Sequence, residues 1–193
     1  WGKRSRMLVT LATRTFTPEP TAAALRLGAL ARALAAGGDT VRVLTSRLAP
    51  SVARDAREAE ETRASENASG DAGERPGLVE VHRAPVLRDR TGAVRGYVSY
   101  MSFDLPLLAR LLTGPRPDVV VSEPPPTTGA AVRIACAARR VPYVYYCADI
   151  VSDAAALAGV PSIVVRTVAG LESFALRGAR RVIAVSDGVA RRA

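Results

Sequence analysis

The chain has 193 residues, 48% of them hydrophobic, with 27 basic and 18 acidic side chains and a net charge of +9. That is enough for one α/β domain with a real core and argues against general disorder. No apolar run approaches the roughly 18 residues that a membrane-spanning helix needs. Two cysteines, Cys136 and Cys147, have neither metal-ligand spacing nor a disulfide framework. Lys3, Arg4 and Arg6 precede an apolar run of about six residues that meets Arg14, too short for an export signal. The expected compartment is therefore the cytoplasm, with reduced thiols. Lys3 is the only lysine, and a basic surface rich in arginine favours anionic partners.

The first predicted unit runs from Met7 to Thr45. The apolar run Met7–Ala12 reads as a strand and ends in a polar turn from Thr13 to Pro20. A helix follows from about Ala22 to Ala36, closed by Gly37 and Gly38, and Thr40–Thr45 reads as a second strand. This is a βαβ unit of Rossmann type. Residues 51–77 hold almost no large apolar side chain and read as a mobile insertion, with transient helix over Val52–Ala64. A third strand is expected over Leu78–Ala84, where the alternation makes His82 a strand-face residue. Tyr97–Leu112 is a long apolar stretch, and Pro106 inside it predicts two helices or a kinked one. Val119–Ser122 is strand four. Glu123 to Pro126 is a rigid turn, with Thr127 or Thr128 capping a helix over Gly129–Arg140. Tyr143–Cys147 is strand five, then a short helical region runs to Ala158. A further helix carries Val164, Val168, Leu171 and Ala175 on one face. Arg181–Val185 is strand six, followed by Ser186 and the start of another helix.

Strands alternating with helices, and uncharged interiors in strands four and five, suit a parallel sheet covered on both faces. The expected fold is α/β: a single Rossmann-like three-layer domain with a mainly parallel sheet of about six to seven strands. Such folds bind ligands where the strands end. The expected positions are Thr13 to Thr21, Ser46 onward, Glu123 to Thr128, Ala148 to Asp153, and Ser186.

Four motifs in order carry a resemblance. The loop Phe16-Thr17-Pro18-Glu19-Pro20 and the helix and strand after it resemble the first unit of family 4 glycosyltransferases of the GT-B fold. Ser122 to Gly129 resembles that family's Pro-rich turn. Ala148 to Asp153, followed by Ala156 to Val160, resembles a motif of members acting on lipid-linked or polysaccharide acceptors. Arg180 to Val189 resembles the end of the family's N-terminal domain. The resemblance covers nearly the whole chain. It implies an acceptor domain, the N-terminal half of a two-domain enzyme. The donor half would lie beyond Ala193, with an Arg/Lys pair and a Glu-x7-Glu motif. This chain alone is then not expected to transfer sugar efficiently. Two departures stand out. Thr21-Ala22 replace the Gly-Gly pair that usually approaches the donor diphosphate, and Val151-Ser152 replace the usual Trp-Pro.

The resemblance implies retaining transfer from a nucleotide-sugar to a glycan, lipid-linked or small-molecule acceptor, as in polysaccharide biosynthesis. Asp149 is the catalytic candidate, positioning the acceptor hydroxyl while the departing diphosphate takes the proton. Its plainer role is a helix N-cap. Glu19, Thr21, Ala22, Glu123, Thr127, Asp153 and Ser186 are the substrate-binding candidates. Thr21 and Ala22 present N–H groups at a helix N-terminus. The plainer roles are a solvated first-turn acid for Asp153 and a cap for Thr127, which the residues favour, and a surface turn residue for Glu19. No metal and no cofactor are expected, since no metal-ligand cluster or Walker loop appears. The apolar helix Tyr97–Leu112, preceded by Arg88, Arg90 and Arg95, fits peripheral contact with the inner face of an anionic membrane as well as ordinary core packing. Nucleic acid is not an expected partner, for lack of a recognition motif. The competing reading is a stand-alone Rossmann-like binding module for a partner chain or anionic ligand.

Overall fold

A computed structural model describes residues 5–66, 78–89, 94, 96–153 and 161–192. Six strands are described: β1 (Leu8–Ala12), β2 (Thr40–Ser46), β3 (Val79–Ala84), β4 (Val119–Ser122), β5 (Tyr143–Cys147) and β6 (Arg181–Ala184). The helices are α1 (Ala22–Ala36), α2 (Pro50–Glu66), α3 (Tyr97–Thr113), α4 (Pro126–Arg139), α5 (Ser162–Gly178) and α6 (Asp187–Ala190). The strands form one sheet in the order β3-β2-β1-β4-β5-β6, and every pairing is parallel. The expected Rossmann-like α/β sheet is thus borne out.

The central strands are apolar because both their faces are covered. Val9, Leu11, Val41 and Val43 face α1, where Leu27, Ala31 and Ala35 close over them. On the other face Leu44, Val120, Tyr145 and Cys147 meet Phe103, Leu107 and Leu111 of α3, Val132 of α4 and Ala175 of α5. Acids that precede one strand fasten its neighbour. The Leu8 N–H donates to Asp118 Oδ2 at 2.7 Å, and the Met7 N–H donates to Asp39 Oδ1 at 3.1 Å. These bonds set the start of β1 against β2 and β4.

Tyr97–Thr113 is one helix with Pro106 inside it, so of the two expected forms the pair of separate helices is excluded. Pro106 lies on the exposed side of α3, so the carbonyl it leaves without a backbone donor is not forced into the core, while Phe103, Leu107 and Leu111 hold the buried side. Helix α4 begins at Pro126, and neither Thr127 nor Thr128 caps it. Proline suits this position because its φ is preset and the N–H it lacks would have no helical partner. The Thr128 hydroxyl instead donates to buried Asp104 Oδ1 at 2.6 Å. The segment read as an insertion opens with α2, over alanine, glutamate and arginine, all good helix formers. Residues 67–77 of that segment, and 154–158 of the short helical region after β5, lie outside the described residues.

Candidate functional site

The chain order of the strands reverses direction between β1 and β4, because β1 connects outward to β2 while β4 connects the other way to β5. At such a switch point the loops beyond the two strand ends part and leave a crevice. A cleft of about 670 Å³ lies there, bordered by the loop after β1, the start of α1, the Pro-rich turn after β4, and Asp149 after β5.

Glu123 and Thr13 join the two strand ends. The Thr13 hydroxyl donates to Glu123 Oε2 at 2.9 Å and also lies 2.9 Å from the Thr15 carbonyl oxygen. Burial pushes the Glu123 carboxyl above its ordinary value, and nearby Asp149 adds to this. The Thr13 bond and the positive charges of Arg26 and Arg14 pull it back. Glu19 is also buried, and its Oε1 has no hydrogen-bond partner among the described residues. Burial likewise raises its pKa, against the positive charges of Arg88 and Arg83. Arg83 braces the Glu19 loop from β3, donating to Thr17 O at 2.6 Å and to Ser46 O at 3.0 Å.

Arg14, Arg26 and Arg88 border the same cleft. The Arg14 guanidinium lies 4.0 Å from the centre of the Tyr100 ring, a cation–π arrangement that fixes its plane. Thr21 caps α1, its hydroxyl oxygen accepting the Ala24 N–H at 3.1 Å.

Asp149 is exposed at the cleft edge. The segment after it is gripped by Glu172 of α5, which is 3% exposed. Glu172 accepts the Val151 N–H at 2.8 Å, the Ser152 N–H at 3.3 Å and the Ser152 hydroxyl at 2.6 Å. A carboxylate from another helix therefore caps the helical turn over 151–153, leaving Asp149 free of that duty.

Of the residues singled out in the sequence, Glu19, Thr21, Glu123 and Asp149 border this one cleft. Ala22 is exposed at the first position of α1, beside it. Thr127 lies in the first turn of α4 and, with Thr128, lowers the pKa of Asp104, which burial otherwise raises. Asp153 points elsewhere: it pairs with Arg192 at 3.0 Å and borders a separate depression with Glu172 and Arg177. Ser186 caps α6, accepting the Val189 N–H at 3.3 Å, and is not in the cleft wall. His82 is on β3 at the sheet edge, with Nε2 3.5 Å from Glu80 Oε2. Cys147 is buried, and its thiol is pushed up to about 11 by that burial and by Glu172 and Asp149 nearby.

Sequence reasoning missed Arg14, Arg26, Tyr100 and Glu172. Arg14 was recognisable as the charge ending the first strand's apolar run. Arg26 follows Ala22 by four positions and so shares its helix face. Glu172 gave no such signal, since its partners are 20 and 21 residues away in the chain.

Among curated proteins none matches the chain. Solved structures of Arabidopsis thaliana UGT89C1 are similar in fold. The one complexed with UDP has a TM-score of 0.52 at 12% identity, with 94% of this chain and 45% of that chain covered. The one complexed with quercetin has a TM-score of 0.46 at 11% identity, with 79% and 37% covered. The chain thus spans less than half the length of these solved relatives. The model of the glycosyl transferase 4-like domain matches residues 21–193. That match takes in the first helix, the Pro-rich turn, the Asp149 segment and the last strand, and by it the chain belongs to the glycosyl transferase 4-like domain family.

Proposed function

We propose that this chain is the acceptor-binding domain of a retaining glycosyltransferase, which moves a sugar from a nucleotide-sugar to a glycan, lipid-linked or small-molecule acceptor. The observation that carries the reading is the meeting of Glu19, Glu123 and Asp149 in one cleft at the switch point, beside the N-terminus of α1. Carboxyl groups held on strand ends suit the orientation of sugar hydroxyls, and a helix N-terminus suits a phosphate oxygen. UGT89C1, similar in fold, is seen with UDP. Asp149 orients the attacking hydroxyl. The departing diphosphate takes its proton, and the anomeric configuration is retained. The donor is held mainly by a second α/β half encoded beyond Ala193.

The test is the full-length protein assayed with UDP-, GDP- and ADP-sugars against glycan and lipid-linked acceptors, with the product anomer assigned by NMR. Transfer with retention supports the reading. An inverted product, or no transfer with any pair, overturns it.

Helix α3 adds a membrane-facing surface to this reading. Val98, Leu105 and Leu112 recur every seven residues, are 67%, 62% and 39% exposed, and share that side with exposed Pro106 and Ala109. No charge interrupts it, since Asp104 is buried and Arg110 is half-buried. Among the described residues no helix is long and apolar enough to cross a membrane, so α3 would lie on the surface of one. Sedimentation of the full-length protein with anionic vesicles, lost on Leu105→Glu, supports this. Equal sedimentation of the variant removes α3 from contact.

A further inference from the structure

Among the described residues, four charged side chains have buried polar atoms with no hydrogen-bond partner: Arg14, Glu19, Arg26 and Asp104. Three of them, Arg14, Glu19 and Arg26, border the switch-point cleft. Buried donors on a cation are seldom left unmatched, and such groups point to a ligand or an ion. Arg14 is held in place by the Tyr100 ring at 4.0 Å, yet its Nε and Nη1 have no acceptor. Arg26 is one turn into α1, and its Nε likewise has no acceptor. Neither arginine belongs to an ion pair among the described residues. The Thr21 hydroxyl takes the Ala24 N–H, so the N–H groups of Ala22 and Ala23 stand at the open end of the same helix.

We propose that the acceptor carries a phosphate group, received between Arg14 and Arg26 beside the start of α1, with a neighbouring hydroxyl of the acceptor donating to Glu19. This rests on the transferase reading above and narrows its acceptor class. Two guanidinium forks and two backbone N–H groups supply more donors than the two oxygens of a carboxylate can accept. The oxygens of a phosphate monoester, spread over a tetrahedron, match them better. Glu19 supplies an acceptor on the same wall of the cleft, as a polyol phosphate requires. The diphosphate of the donor offers the same chemistry, so the test separates the two sources.

The experiment is calorimetric titration of the full-length protein with inorganic phosphate at fixed ionic strength. It is run alone and in the presence of whichever of UDP, GDP and ADP the protein binds. Phosphate should bind in both conditions, and Arg14→Gln and Arg26→Gln should each weaken it roughly tenfold. The thermal midpoints of both variants should stay within about 3 °C of the parent. If Arg14→Gln does not fold, Arg26→Gln decides. Absence of phosphate binding, or unchanged binding in the variants, overturns the site. Complete displacement by the nucleotide also overturns it, by assigning the arginines to the donor. A protein that binds none of the three nucleotides loses the transferase reading, while the loss of phosphate affinity in the variants still decides the anion site.

Discussion

Thr13 and Glu123, 110 residues apart in the chain, meet at 2.9 Å across the ends of β1 and β4. The Thr13 hydroxyl has one proton and two acceptors at the same distance, Glu123 Oε2 and the Thr15 carbonyl. Thr13 Oγ1 also accepts the Thr15 N–H at 3.3 Å. When Glu123 is protonated the competition is removed, because its own O–H then donates to Thr13 Oγ1 and the threonine proton goes to Thr15. An ionised Glu123 leaves one of the two acceptors unmatched.

The pH dependence of stability follows from this. Burial holds the Glu123 pKa above its reference of 4.5, so the folded state keeps a proton that the unfolded chain has already released. The contribution is full below that reference and is lost as pH rises through the folded value. Glu19 and Asp104 act with the same sign. Glu123→Gln keeps the shape and a donor to Thr13 without titrating. Its thermal midpoint should exceed the parent's by a few degrees at pH 8 and converge with it near pH 4. Parallel midpoint curves from pH 4 to 9 would show that Glu123 does not contribute.

Asp149→Ala should lower kcat of the full-length enzyme roughly a hundredfold, by loss of the group that orients the acceptor hydroxyl. Asp149 is exposed, so unfolding in urea should shift by no more than about 0.5 kcal/mol. Unchanged turnover would take Asp149 out of the reaction.

Glu172→Ala removes the acceptor for two backbone N–H groups and one hydroxyl. The expected cost is about 1–3 kcal/mol. Amide hydrogen exchange should speed up at Val151 and Ser152 before it does in β1 or β4. Because Asp149 lies two residues upstream of Val151, turnover should fall as well. Normal protection at Val151 and Ser152 in the variant would show that Glu172 does not hold this segment.

Gly129→Ala tests how closely α4 packs. An added Cβ would come within 2.6 Å of Tyr145 Cε2 and 2.7 Å of Ala175 Cβ, and both neighbours are fully buried. Separating α4 from β5 and α5 should cost about 1–3 kcal/mol in urea unfolding. A neutral effect would mean that this layer yields to an extra methyl group.

The sequence by itself determined the β1–α1–β2 unit, the parallel sheet, and the carboxylates that stand at strand ends. Those features are local: an apolar run, a turn and a helix are contiguous, Glu123 and Asp149 come within two residues of the ends of β4 and β5, and Glu19 lies on the loop between β1 and α1. Pro106 left two forms open, two helices or one, and the structure has one because Phe103 and Leu107 pack on the buried side and leave the proline on the exposed side. The tertiary structure alone decided that β1 lies beside β4, and hence that Thr13 meets Glu123 and that Arg14 and Arg26 share their cleft. It also turned Asp153 toward Arg192 and placed Ser186 at a helix cap away from the cleft. With arginine as nearly all of the basic charge, no single arginine stands out in the sequence. What distinguishes Arg14, Arg26 and Glu172 is the neighbours they acquire, and strand order and helix packing over long chain separations supply those neighbours.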